Sequence, residues 1–202
     1  MKKDVNPNSN LWNKYVEFNS ATSYVLESSS GLGKSSFISF CYGLRNDFYG
    51  EILIDKQNIK NFSSNNWSEI RTHKLSIIPQ NLKLFNNLSI LDNLNIKNNL
   101  TNYKSISEIL EFMKILQIDA LKDKMVAKLS LGQKQRVAII RALLQPFEFI
   151  FLDEPFSHLD KQNTYNAMGL IQEQCEKQKS SFMITSLGNE KIIFNNTTKI
   201  IL

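Results

Sequence analysis

At 202 residues, with 42% hydrophobic and 21% charged side chains, the chain has the size and composition of one globular domain that needs neither disulfides nor structural metals. Its formal charge of +5 is mild and its lysines are scattered, so no nucleic-acid partner is expected. Cys41 and Cys175 lack metal-ligand spacing and read as buried or incidental thiols in a reducing compartment.

The opening MKKDVNPNSN has two lysines but no following apolar region, which predicts no signal peptide. No run approaches the roughly 18 apolar residues of a membrane span, so a cytosolic chain is expected, with any membrane association made through a partner.

YVLE at 24–27 predicts a short apolar strand that runs into ESSSGLGKSSF at 27–37. Gly33, Lys34 and Ser35 supply the second half of the phosphate-loop pattern G-x-x-x-x-G-K-[ST], while Ser28 stands where the first glycine belongs. In such a loop the backbone N–H groups of Ser28, Ser29, Ser30, Gly31, Leu32, Gly33, Lys34, Ser35 and Ser36 curl around the β- and γ-phosphates at a helix N-terminus. Lys34 would reach those phosphates and the Ser35 hydroxyl would ligate Mg²⁺. Gly31 and Gly33 permit backbone angles that a side chain would block, and Ser28 would cost about 1 kcal/mol if a positive φ were required there. Taken alone, the stretch leaves two readings open, a phosphate cradle and a glycine-serine turn.

After the loop, SSFISFCYGL carries apolar residues at helical spacing, GEILIDKQNI at 50–59 alternates as a β-hairpin arm, and KLSIIPQ at 74–80 predicts a buried strand stopped by Pro79. SILDNLNI and SEILEFMKILQI repeat apolar residues three and four apart, so the chain turns helical from about 84 to 128. Ser130 is a good N-cap for a helix that ends before Pro146. FEFIFLDEP predicts a fully buried strand with acids at its end, followed by a helix over 160–178 and the strand SFMIT. Alternating strands and helices imply a largely parallel sheet. Asp153 and Glu154 then lie at its carboxyl edge, where such folds bind ligands; Asp153 would hold Mg²⁺ and Glu154 would polarise an attacking water.

LSLGQKQRVAIIRALLQPFEFIFLDEPFSHLD at 129–160 resembles the signature, second acidic motif and D-loop of ATP-binding cassette ATPases, and IIPQNLKLFNNLSILDNL at 77–94 resembles their Q-loop. The segments stand in the family's order, and the resemblance covers roughly residues 15 to 190. It implies an α/β P-loop NTPase core in a single domain spanning 1–202, with a mostly parallel sheet, an antiparallel hairpin region and an inserted helical subdomain at about 84–135. It further implies a Mg²⁺-dependent ATPase in which two copies close head to tail over two ATP molecules.

In that arrangement Ser130, Gly132 and Gln133 of one copy would touch the γ-phosphate held by the other, at a helix N-terminus that favours anions. Gln80 would approach Mg²⁺ and the attacking water, and Asp160 would shape the dimer interface. The partners implied are a second copy, or another cassette, and a separate permease that places the chain on the inner face of the cell membrane. The compact form is similar to the lipoprotein-releasing and macrolide-exporter cassettes.

The chain departs from the family at Ser28, at Leu131 in the signature, and at Ser186, which stands where relatives carry a γ-phosphate-contacting histidine. A hydroxyl there hydrogen-bonds phosphate without an imidazole's charge or reach, so Ser186 is the candidate in that role and hydrolysis is expected to be slow. Trp12 and Tyr15 are the nearby aromatics for adenine, with packing the better reading of each. His158, within the D-loop, is a distant candidate for compensation, while His73 reads as an ordinary polar surface residue in a connecting segment. Two alternatives accompany the transporter reading: a degenerate cassette that binds ATP and dimerises but hydrolyses poorly, and a soluble cassette acting on ribosomes or DNA.

Overall fold

The structure, a computed structural model, describes residues 9–28, 31–186 and 197–202. Strand β1 (Ser23–Glu27) leads through the glycine loop into helix α1 (Lys34–Cys41). The hairpin of β2 (Leu53–Ile54) and β3 (Gln57–Asn58) turns on Asp55 and Lys56, both at positive φ, the backbone that a two-residue hairpin demands. Helix α2 (Ser64–His73) then precedes β4 (Leu75–Ile78). The expected helical stretch contains α3 (Ile90–Asn98) and α4 (Ile106–Ile115). Helix α5 (Leu131–Ala142), strand β5 (Phe149–Leu152), helix α6 (Lys161–Gln178), and strands β6 (Ser181–Ser186) and β7 (Thr197–Ile201) complete the described elements.

Five strands form one sheet in the order β4-β5-β6-β1-β7, and every pairing in it is parallel. Parallel pairing needs crossover connections, which put helices on the sheet faces and bury both sides of the strands. The period-2 alternation sorts each strand's residues accordingly. Val25, Ile78, Ile150, Leu152, Phe182 and Ile184 join the cluster built with α3, α4, α5 and α6. Tyr24, Leu26, Leu75, Phe151 and Met183 face the other way, onto Phe37 and Ile38 of α1 and Leu11 of the amino-terminal segment.

Helix α2 and strand β7 have no counterpart in the sequence reading. No residue of α2 is buried, so it lacks the apolar stripe on which periodicity depends; it starts instead from a capping box between Ser63 and Asn66. His73, expected in a connecting segment, is the last residue of that helix and pairs with Glu69 at 3.7 Å. Strand β7, TTKII, shows a single buried residue and lines the edge of the sheet beside β1. Cys175 is buried and Cys41 partly so, and burial pushes both thiols up to about 12, which keeps them protonated and inert.

Core and surface positions with the same side chain should differ sharply. Ile140 is fully buried on α5, whereas Ile106 is exposed at the start of α4. Ile140→Ala is expected to cost about 2–5 kcal/mol in urea unfolding and Ile106→Ala no more than about 0.5 kcal/mol. Equal losses would contradict this packing.

Candidate active site

Because all strands of the large sheet run the same way, their carboxyl ends form one edge. Along it come, in order, Pro79 and Gln80 after β4, Asp153 and Glu154 after β5, Ser186 at the end of β6, and the glycine loop after β1. The register pairs Ile78 with Leu152 and Glu27 with Ser186, so these turns stand side by side. Ligands bind outside such an edge in open α/β sheets.

The loop is shaped by glycine at two places. Gly31 and Gly33 have φ of 82° and 104°, and Gly33 caps α1; a Cβ there would meet the indole of Trp12 at 3.4 Å. Ser28 is not among the positive-φ positions, so serine carries no left-handed strain where the pattern has glycine. Its part is played by the backbone, since the buried Lys34 donates from Nζ to the Ser28 carbonyl oxygen at 2.7 Å. The ammonium is thereby drawn across the loop rather than extended into solvent, at the N-terminus of α1 where anions are favoured. Leu32 is exposed, and Ser36 Oγ accepts a hydrogen bond from Arg45 at 3.1 Å. Ser29 and Ser30 lie outside the described residues.

Ser35, Gln80 and Asp153 line one cleft of about 770 Å³. Asp153 is buried, and its Oδ1 accepts from the Thr185 hydroxyl at 3.0 Å. Glu154 adopts a φ of 50°, and its carboxylate lies 3.5 Å from Gln80 Nε2. One buried carboxylate, a hydroxyl and an amide oxygen make an all-oxygen donor set, and no group of three or more His, Cys, Asp or Glu gathers elsewhere among the described residues. Such a sparse set fits Mg²⁺, which keeps several waters and shares its shell with phosphate oxygens.

Helix α5 begins with a reciprocal cap in which the Gln133 amide donates to Ser130 Oγ at 3.2 Å and the Ser130 amide donates to Gln133 Oε1 at 3.0 Å. Leu131 is 57% exposed at the first helical position and points to solvent within this chain. Gly132 has a steric role: a Cβ would stand 2.7 Å from the His158 carbonyl oxygen, so the helix abuts the D-loop backbone directly. Gln135, buried about one turn in, ties the same loop down, donating to the Glu154 carbonyl at 3.0 Å and accepting from the His158 amide at 2.9 Å. Asp160 caps α6 through the Asn163 amide at 2.8 Å, and that hydrogen bond holds its carboxyl below the usual range.

The edge therefore brings together Lys34, Ser35, Gln80, Asp153 and Glu154 on neighbouring turns, and Ser186 ends the strand between them. Ser130, Gly132, Gln133 and Asp160 cluster about the α5–D-loop contact instead. His158 bonds its own neighbour, Ser157 Oγ, at 3.0 Å. Trp12 packs edge-on to Phe37 with centroids 6.0 Å apart, a packing role, while Tyr15 is 88% exposed. Sequence reasoning missed Gln135, Thr185 and Asn93; the last, fully buried on α3, exchanges hydrogen bonds of 2.8 and 3.0 Å with the Phe85 backbone and anchors the loop after Gln80. The hydrogen bonds of Gln135 and Thr185 join segments far apart in the chain, those of Asn93 close a local loop, and no spacing signals any of them.

A glycine-rich loop with its lysine at a helix start, beside a carboxylate pair at a parallel edge, defines a P-loop nucleotide hydrolase. Residues 13–157 match the family described as ABC transporter, and the chain belongs to that family as an ATPase. It is 35% identical over 160 residues to the lipoprotein-releasing system ATP-binding protein LolD of Buchnera aphidicola subsp. Schizaphis graminum, covering 78% of this chain and 70% of that one. To the aliphatic sulfonates import ATP-binding protein SsuB of Bacillus anthracis it is 29% identical, covering 82% of this chain and 62% of that one. The dimeric structure of MJ0796, a bacterial ABC transporter cassette, superposes with a TM-score of 0.79 at 22% identity, covering 92% of this chain and 84% of that chain. A post-hydrolysis state of the same cassette bound to ADP and Pi gives 0.74 at 25% identity, with 84% and 77% covered.

The tight Gly132–His158 approach makes a direct test. Gly132→Ala should destabilise the nucleotide-free protein by about 1–3 kcal/mol in urea unfolding, because backbone rather than a flexible side chain must move. A loss below about 0.5 kcal/mol would show that the helix and loop part easily.

Proposed function

We propose that this chain is the ATP-hydrolysing subunit of a membrane transporter, working as a head-to-tail dimer that drives a separate permease from the inner face of the membrane. The observation that carries the reading is the shared carboxyl edge, where Lys34 on its loop, the Asp153–Glu154 pair and Gln80 adjoin one cleft.

The roles follow from position. The loop amides from Ser28 to Ser36 and the Lys34 ammonium bind the triphosphate, whose oxygens outbid the Ser28 carbonyl for Nζ because they carry full charge. Ser35, Asp153 and Gln80 would hold Mg²⁺, which when bound offsets the charge on the β- and γ-phosphate oxygens. Glu154 orients a water for in-line attack on the γ-phosphorus and takes up its proton, as the bond to the bridging oxygen of ADP breaks. Ser130, Gly132 and Gln133 of the second copy cover the γ-phosphate with the start of α5. The Ser130 hydroxyl already accepts from Gln133 and keeps its own hydrogen for an anion. Ser186 stands at the end of β6 as the γ-phosphate contact, and Asp160 fixes the D-loop at the dimer seam.

The far side of the cleft suits a permease. Leu82, Phe85, Ile96 and Leu100 offer apolar surface there beside Lys97 and Arg141. Burial, and then the charge of Arg141, push Lys97 down to about 8, so an entering acidic side chain would be welcome. Among the described residues no helix is long and apolar enough to cross a membrane, and a partner must supply the transport path in this reading. A second reading, a cassette that binds ATP and dimerises but hydrolyses poorly, is favoured by the exposed Leu131 at the start of α5 and by Ser186.

Glu154→Gln should trap an ATP-bound dimer visible by size exclusion; a variant that stays monomeric at saturating ATP rejects the sandwich. Purified wild-type protein that releases no phosphate, even with its permease, would select the second reading. Affinity purification should recover a multi-spanning membrane protein and lose it on Lys97→Glu, whereas recovery with ribosomes would reject the transporter assignment.

A further inference from the structure

Glu154 is held in an unusual way. Its φ of 50° lies in the left-handed region, which strains a side-chain-bearing residue and persists only where neighbours impose it. Two contacts do so, one on its amide and one on its carbonyl. Its amide donates to Thr185 Oγ1 of β6 at 2.8 Å, and its carbonyl accepts from Gln135 Nε2 of α5 at 3.0 Å. Thr185 is buried, and the same hydroxyl lies 3.0 Å from Asp153 Oδ1 and 3.5 Å from the Leu152 carbonyl oxygen. A hydroxyl has one hydrogen to give and lone pairs to accept with; the shorter contact and the full charge of the carboxylate favour Asp153 for that hydrogen while the oxygen takes the Glu154 amide.

We propose that Thr185 is a positioning residue for ATP hydrolysis, its hydroxyl joining the Glu154 amide to the Asp153 carboxylate and so fixing the water-orienting group and the cation-holding group relative to each other. The inference rests on the reading of Glu154 given above. Thr185 is buried and acts through the two acids. Its strand lies between β5, which carries them, and β1, which opens the phosphate loop, with Ile184 opposite Leu152 and Thr185 opposite Leu26. A bond from β6 to the turn after β5 therefore sets the acids against the loop as well. Removing the hydroxyl while keeping the shape leaves a buried N–H and one oxygen of a buried carboxylate without that partner. The turn then has less to hold it in the left-handed conformation, and the Glu154 carboxylate is free to swing off the line of attack.

The test uses the full chain with Mg-ATP, measuring phosphate release, nucleotide affinity and urea unfolding for Thr185→Val, Thr185→Ser and Thr185→Cys. Thr185→Val should lower kcat by about 10- to 100-fold, the usual span for a residue that orients a functional group, while nucleotide affinity changes by less than about threefold. Thr185→Ser, which restores the hydroxyl, should return kcat to within about threefold of the parent. A thiol is a weaker donor, so Thr185→Cys should fall between them, and it serves if the valine protein does not fold. In a Glu154→Gln background Thr185→Val should lower kcat by a smaller factor than in the parent, because the part of its effect that runs through the Glu154 carboxylate is already lost. Parental kcat in Thr185→Val, or in Thr185→Cys where valine cannot be prepared, overturns the proposal. Equal losses in kcat for valine and serine do the same, since they would report packing. If Glu154→Gln itself keeps parental kcat, the assignment of Glu154 falls and this inference with it; if only the Thr185 variants do, the inference falls alone.

Discussion

The parallel pairing of β4, β5, β6 and β1 is the constraint from which the chemistry follows. Pairing in one direction forces the chain to return across the sheet through helices, and each return delivers the next turn to the same edge. Gln80, the Asp153–Glu154 pair, Ser186 and the phosphate loop lie far apart in sequence, yet they occupy adjacent turns because their strands are neighbours. The two-sided burial of β5 and β6 keeps that edge stiff. A register slip would turn Ile150, Leu152, Phe182 and Ile184 out of one core and Phe151 and Met183 out of the other.

Helix N-termini do the second part of the work, and the two that matter are built differently. At α1 the cap is Gly33, with φ of 104° and no side-chain cap, and the helix N-terminus there is one that favours an anion. At α5 the cap is Ser130, locked with Gln133, which holds the terminus rigid while leaving the hydroxyl hydrogen uncommitted. Gly132 and Gln135 then connect α5 to the D-loop by steric contact and by hydrogen bonds. Any displacement of the α5 start is thus carried into the backbone of Glu154 and His158. A partner pressing on one would be felt at the other.

Much of this was legible in the sequence because the signals were local. Gly33, Lys34 and Ser35 fix a loop by spacing, FIFLDE announces a buried strand ending in acids, and Ser130 announces a helix start. What stayed hidden had no local period. Helix α2 rests on a cap rather than an apolar stripe, and β7 shows one buried residue in five. Thr185, Gln135 and Asn93 are polar side chains whose partners lie elsewhere in the fold, so burial and hydrogen-bond satisfaction reveal them where composition cannot.

The departures from the family pattern look different once sorted by whether a position acts through backbone or side chain. Ser28 acts through its carbonyl, which every residue possesses, and its φ requires no glycine. Leu131 is solvent-facing in the single chain, so its side chain matters where a second copy approaches. At Ser186 a hydroxyl stands where the family carries an imidazole of different reach and charge. In the proposed reading, binding draws on parts that are intact, while the rate draws on how well Glu154 is aimed without an imidazole one strand away. That places a heavier demand on the contacts that hold Glu154 at its strained φ, and those contacts come from β6 and α5 rather than from the nucleotide.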